Sequence, residues 1–280
     1  MPKKLLSNQH KWQHEFIDVG KNIQLEILSF QNSDAQKFFF FLPCMMGNVR
    51  AYRLSTTFLK DFSAVLINPR GHGQSTGQYI PEKVLEEVLK IIAIKNKENL
   101  PIIGSGHSGG GAVALMAAQR TKMEKVILFS PILDSVKSLK YMYDINSIHE
   151  FWQMLDNPEK KHSILKSPEW LSPNTWQKYH LKEKLSYAIN RKNYRIPHVG
   201  QFLENCFIPG FQVHNEFLST KPLDIFLPKE DLWFPMEITE NLASQHPFAQ
   251  VYHVAEAKDH FFKGNWSAIW KQVFCSTILT

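Results

Sequence analysis

Cysteine is scarce in this chain. Cys44, Cys206 and Cys275 are the only three among 280 residues. They are odd in number, far apart and form no CxxC pair. That excludes a disulfide framework and the usual zinc spacings, so three isolated reduced thiols in packed positions are expected. Long hydrophobic runs are also missing. The apolar stretch 38–42 is far short of the roughly 20 residues that an integral membrane segment needs. The first 14 residues are polar and hold no apolar leader core, so no secretory signal and a cytoplasmic setting are expected. Charge of one sign is not concentrated: Lys and Arg total 32 against 26 Asp and Glu, a net +6, with no dense basic tract. A nucleic-acid partner is therefore not expected. Repeats and low-complexity segments are absent, and no nucleotide, phosphate or metal motif stands out. No cofactor and no metal are expected.

What is present is an ordinary globular composition, 44% hydrophobic and 21% charged, long enough for one large domain with a substantial core. Two strands are predicted at 16–19 and 22–30, joined at Gly20. A continuous apolar strand follows at 37–42. Strands at 63–67, 101–105 and 125–129 then alternate with helices at 49–62, 81–98 and 109–120. This rhythm predicts a mainly parallel sheet with helices on both faces and an antiparallel edge. It breaks from about 133 to 217, where no clear strand is found and tyrosine and tryptophan crowd the chain. That segment is expected to be a helical cap, with 1–132 and 218–280 forming the core. Strands at 222–227 and 250–254 and helices at 236–244 and 264–279 complete the chain.

The most informative stretch is Gly106-His107-Ser108-Gly109-Gly110. It sits between a predicted strand and a predicted helix of small residues. A G-x-S-x-G there is a nucleophile elbow: a turn so tight that the serine backbone is strained and its neighbours must be glycine. The helix behind it aims N–H groups at the same place, which suits a developing oxyanion. A serine hydroxyl needs a base, and the base needs an orienting acid. The strand at 222–227 runs into Pro228-Lys229-Glu230-Asp231-Leu232-Trp233-Phe234-Pro235. The strand at 250–254 leads to Asp259-His260-Phe261. Asp134, after the strand at 125–129, competes with Asp231 for the acid. His253 is expected to be packed, and His72 and His107 to be structural hydrogen-bonding residues.

With these positions assembled, the chain resembles the α/β-hydrolase superfamily from about residue 16 onward. Residues 68–75, Asn68-Pro69-Arg70-Gly71-His72-Gly73-Gln74-Ser75, resemble the D-x-R-G-x-G-x-S loop, with Asn68 where aspartate is usual. Residues 228–235 resemble the G-x-x-D-x-x-x-P acid turn, with Pro228 for glycine. Residues 259–261 resemble G-H-F, with Asp259 for glycine. The resemblance implies the α/β-hydrolase fold, with Ser108 as nucleophile, His260 as base and Asp231 as orienting acid. It also implies an oxyanion hole from the Gly109 N–H and that of Met45, with Met46 the alternative. The implied partner is a small molecule with an ester, thioester or amide carbonyl. Ester or thioester hydrolysis by the branch that includes monoglyceride lipases and serine aminopeptidases is the leading expectation. Acyl transfer, amide cleavage and a non-catalytic binding role remain as alternatives.

Overall fold

The computed structural model describes residues 11–45, 47–77, 79–134, 221–231, 234 and 236–275. The strands are β1 (Gln13–Gly20), β2 (Ile23–Phe30), β3 (Lys37–Leu42), β4 (Phe62–Ile67), β5 (Ile102–His107), β6 (Met123–Phe129), β7 (Leu223–Pro228) and β8 (Ala249–Val254). They form one sheet in the order β1-β2-β4-β3-β5-β6-β7-β8. Both pairings of β2 are antiparallel, and every pairing from β4 to β8 is parallel. The hairpin turn that joins β1 to β2 places Gly20, Lys21 and Asn22 all at positive φ.

The helices are α1 (Pro81–Lys95), α2 (Gly109–Arg120), α3 (Met236–Ser244) and α4 (Trp266–Cys275). Alternation along β3 builds two cores. Phe38, Phe40 and Leu42 pack with Val84, Val88 and Ile91 of α1 and Ala112 and Val113 of α2. Phe39 and Phe41 pack on the other face with Trp266, Ile269, Trp270 and Val273 of α4. The four consecutive phenylalanines are fully buried, each worth about 1.5–3 kcal/mol of apolar burial. They explain why β3 reads as a continuous apolar run: it lies mid-sheet, covered on both faces.

Three expectations are corrected. The segment 49–62 is not a helix but two short 3-10 turns, Val49–Tyr52 and Thr56–Phe58. Arg53 turns left-handed at φ 50° and stops the first; the Ser55 side chain caps the second by accepting from Thr57 N–H. His253 is exposed, against Glu240 at 3.3 Å, because β8 is the sheet edge. Cys275 is exposed at the end of α4, whereas Cys44 is buried as expected. Cys206 and the cap segment from residue 135 onward lie outside the described residues.

The Asn68 loop shows why aspartate is absent there. Glu26 of β2 is buried and already supplies the carboxylate. Its Oε2 accepts from Asn68 Nδ2 and from Gln74 N–H, each at 2.7 Å. Asn68 Oδ1 accepts from Val49 N–H at 2.9 Å and so ties this loop to the turn after β3. An amide donates to Glu26 and accepts from Val49 at once, whereas an ionised aspartate could only accept. Burial alone would raise the Glu26 pKa, but the hydrogen bonds from Gln74 and Asn68 and the nearby Arg50 and His14 outweigh it and hold it below the usual value. The stability this contributes is complete above the unfolded carboxylate pKa and is lost as pH falls through the lowered native one. Asn68→Asp is expected to cost about 3 kcal/mol at neutral pH by facing two buried carboxylates. That pair would share a proton, so the variant's deficit should shrink on acidification. Denaturant midpoints at pH 5 and pH 7.5 check this; a deficit that is absent or grows toward acid contradicts it.

Candidate active site

Four loops at the C-terminal ends of parallel strands carry the sequence-predicted residues. This is the side of an open α/β sheet where ligands bind. Ser108 joins β5 directly to α2, at φ 57° and ψ −123°. Such a backbone costs on the order of 1–3 kcal/mol and persists only where its surroundings fix it. Here the Ser108 N–H donates to the Phe129 carbonyl at 2.9 Å. The Ser108 carbonyl accepts from Gly111 at 3.0 Å and from Ile132 at 3.2 Å. A Cβ on Gly106 would overlap the Gly110 carbonyl, and one on Gly110 would overlap the Pro43 carbonyl. The first contact forces the sharp exit into α2. The second seats the turn after β3 on the start of that helix.

That turn brings Met45 to the elbow. A Cβ on Gly109 would lie 2.7 Å from Met45 Cγ. The Cys44 carbonyl accepts from Gly47 N–H at 2.8 Å. A trans peptide is planar, so the Met45 N–H points the opposite way from that carbonyl. Among the described residues, neither the Met45 N–H nor the Gly109 N–H has an acceptor. Met46 lies outside the described residues. Burial pushes the Cys44 thiol up to about 11, which leaves no thiolate at neutral pH.

Asp231 follows β7 and His260 follows β8. His260 Nδ1 lies 2.7 Å from Asp231 Oδ2, and both side chains are about 2% exposed. The other carboxylate oxygen, Oδ1, accepts from Phe234 N–H at 2.9 Å, and the Phe234 ring leans on the imidazole at 4.8 Å. With Nδ1–H given to the carboxylate, Nε2 carries the lone pair. Among the described residues, neither His260 Nε2 nor the Ser108 hydroxyl makes a hydrogen bond. Asp259, in place of glycine, shapes the loop with its own side chain by accepting from Phe261 N–H at 2.9 Å.

The carboxylate beside His260 is thus that of Asp231, and the two unpaired amides flank the serine turn. His72 is buried, its pKa lowered to about 4 by desolvation, so it is neutral. His107 is also buried, and desolvation followed by the neighbouring His260 holds its pKa well below the usual histidine range. Sequence reasoning did not find the amide of Phe234 or the hydroxyl of Tyr52. The latter accepts from Cys44 N–H at 2.7 Å. The available signal was that a buried tyrosine needs a partner for its O–H. No cluster of metal-binding side chains occurs among the described residues. None of their helices is long and apolar enough to cross a membrane.

Sheet order, crossover helices and a serine held between β5 and α2 define an α/β-hydrolase fold. The family model for serine aminopeptidase, S33, matches residues 51–188, a stretch that includes the Ser108 turn. No curated protein matches the chain in sequence. Among solved structures it is similar to the thioesterase domain from the curacin biosynthetic pathway, at 15% identity and a TM-score of 0.64 over 94% of this chain and 99% of that one. It is similar also to Est1E from Butyrivibrio proteoclasticus, solved with ferulic acid bound, at 15% identity and a TM-score of 0.58 over 92% and 96% of the two chains. A proline iminopeptidase-related protein from Thermus thermophilus is similar at 16% identity and a TM-score of 0.60, over 94% and 97%. Identities this low carry the fold and no substrate.

Proposed function

We propose that this protein is a serine hydrolase that cleaves a carboxylic ester or thioester through an acyl-enzyme on Ser108. The observation that carries the proposal is a convergence at one sheet end. A strained serine, a histidine whose Nδ1 is held by a buried carboxylate, and two amides without acceptors among the described residues all lie at the C-terminal ends of strands β3, β5, β7 and β8. Ser108 Oγ attacks the carbonyl carbon while His260 Nε2 takes its proton. The tetrahedral oxyanion is held by the Gly109 and Met45 N–H groups. Collapse expels the alcohol or thiol, which receives the proton from His260. A water then gives its proton to His260 and attacks the acyl-enzyme, releasing acid and restoring Ser108. Asp231 holds the ring in the Nδ1–H tautomer and stabilises the imidazolium. The segment 133–217 is proposed as a cap over this site.

Amide cleavage is a second reading, favoured by the match to the serine aminopeptidase model. A panel of p-nitrophenyl esters, acyl thioesters and aminoacyl p-nitroanilides separates the two. Ester and thioester turnover is expected to exceed anilide turnover, with free acid as the main product when millimolar alcohol or amine is added. Dominant anilide cleavage would favour the peptidase. Saturable capture of nearly all acyl groups by one acceptor would make the protein an acyltransferase.

A further inference from the structure

A row of buried hydrogen bonds runs behind the site and uses none of the groups proposed to touch the substrate. Its middle member is His107, the residue before the serine. His107 Nε2 lies 2.8 Å from the backbone carbonyl of His260. A carbonyl can only accept, so Nε2 carries the proton. His107 Nδ1 lies 2.8 Å from the Tyr52 hydroxyl. Burial keeps this imidazole neutral, so Nδ1 accepts and Tyr52 donates. The Tyr52 oxygen in turn accepts the Cys44 N–H at 2.7 Å. Every proton is assigned, and the row runs one way, from the Cys44 amide through Tyr52 and His107 to the His260 carbonyl.

The two ends of this row are the two halves of the site. Cys44 immediately precedes Met45, whose amide is a proposed oxyanion donor. The His260 carbonyl belongs to the residue proposed as base. The flanking backbone is pinned by one helix. Trp270 Nε1–H donates to the Tyr52 carbonyl at 2.7 Å, and Trp266 Nε1–H donates to the Phe261 carbonyl at 3.0 Å. The rings fill the space between: Tyr52 lies 4.5 Å from Trp266, and His107 lies 4.9 Å from His260. Helix α4 therefore anchors the turn after β3 and the histidine loop at once, one turn apart on its own surface.

We infer that Tyr52 and His107 are positioning residues that fix the distance between the oxyanion donors and His260 by hydrogen-bonding to the backbone at both ends. This rests on the serine-hydrolase reading above. Neither residue touches the substrate. A neutral His107 is part of the device: protonated, it would carry a proton on Nδ1 and could no longer accept from Tyr52. A displacement of about 1 Å at a reacting group costs on the order of 100-fold in rate, so loosening either end should appear in kcat.

Tyr52→Phe is the mildest test, because it removes one oxygen and keeps the ring. Wild-type labelling at Ser108 by a fluorophosphonate is measured first. Its absence would overturn the hydrolase reading, and this inference with it. Where wild type is labelled, Tyr52→Phe is expected to lower kcat 10- to 100-fold on a short ester, with KM within about threefold, well below its melting temperature. His107→Phe should lower kcat at least as far. His107→Gln, which keeps a donor for the His260 carbonyl and an acceptor for Tyr52, should recover part of the loss. The double variant Tyr52→Phe/His107→Phe should be no worse than His107→Phe alone, since both break one row. Unchanged kcat in folded Tyr52→Phe, additive losses in the double variant, or no recovery with glutamine would overturn the inference while leaving the hydrolase reading standing.

Discussion

Asp231→Asn is expected to lower kcat by about 10³- to 10⁴-fold with KM within a factor of a few, the size of effect that follows when a triad histidine is held in the wrong tautomer. The local geometry makes the direction definite. Asp231 Oδ1 accepts from Phe234 N–H at 2.9 Å, and Oδ2 faces His260 Nδ1 at 2.7 Å. An asparagine here keeps its carbonyl oxygen against the Phe234 N–H. Its NH₂ group must then face Nδ1, which can only accept from it. The imidazole proton moves to Nε2, and the nitrogen proposed as the base loses its lone pair. The side-chain volume is unchanged, so the fold should survive. Asp134→Asn is the control, because Asp134 is only partly buried and follows Leu133 at the end of a different strand connection. It should cost no more than a few-fold. Steady-state kinetics of both variants on one ester decide the point. A mild Asp231→Asn beside a crippling Asp134→Asn would move the acid to β6.

The elbow was legible because its requirements are local. The glycines at 106 and 110 answer to backbone atoms within the turn or just beside it, and a serine between strand and helix has few other uses. The parallel sheet was legible for a similar reason: β4, β5 and β6 are short apolar runs separated by helices, and that rhythm survives in the chain order. What could not be read depends on partners remote in sequence. Asn68 departs from its motif because Glu26, 42 residues earlier, occupies the acceptor role. His253 is exposed because β8 ends the sheet, and strand order is not written in chain order.

The segment 49–62 misled by its spacing. Tyr52, Leu54, Phe58 and Leu59 could line one helix face, yet Arg53 at φ 50° turns the chain between them. Tyr52 packs its ring in the core and also carries an oxygen that joins Cys44 to His107. Trp266 and Trp270 read as a plain apolar stripe, although each spends its indole N–H on a backbone carbonyl beside the site. Amphipathic patterning identifies which face of α4 is buried. It does not reveal that the same face holds two loops together.

Covalent labelling with a fluorophosphonate tests the central claim most directly. Such a probe phosphonylates a serine only when a base removes its proton and amides hold the developing oxyanion. It therefore reports Ser108, His260, Gly109 and Met45 together without knowledge of the natural substrate. The residue's backbone strain and its backbone hydrogen bonds to Phe129, Gly111, Ala112 and Ile132 are independent of its hydroxyl, so Ser108→Ala should fold normally. Intact mass spectrometry of wild type is expected to show a single adduct, mapped to Ser108 by peptide sequencing. Ser108→Ala should show none and should lose essentially all esterase activity. An adduct that persists in folded Ser108→Ala, or that maps to another residue, would contradict the account.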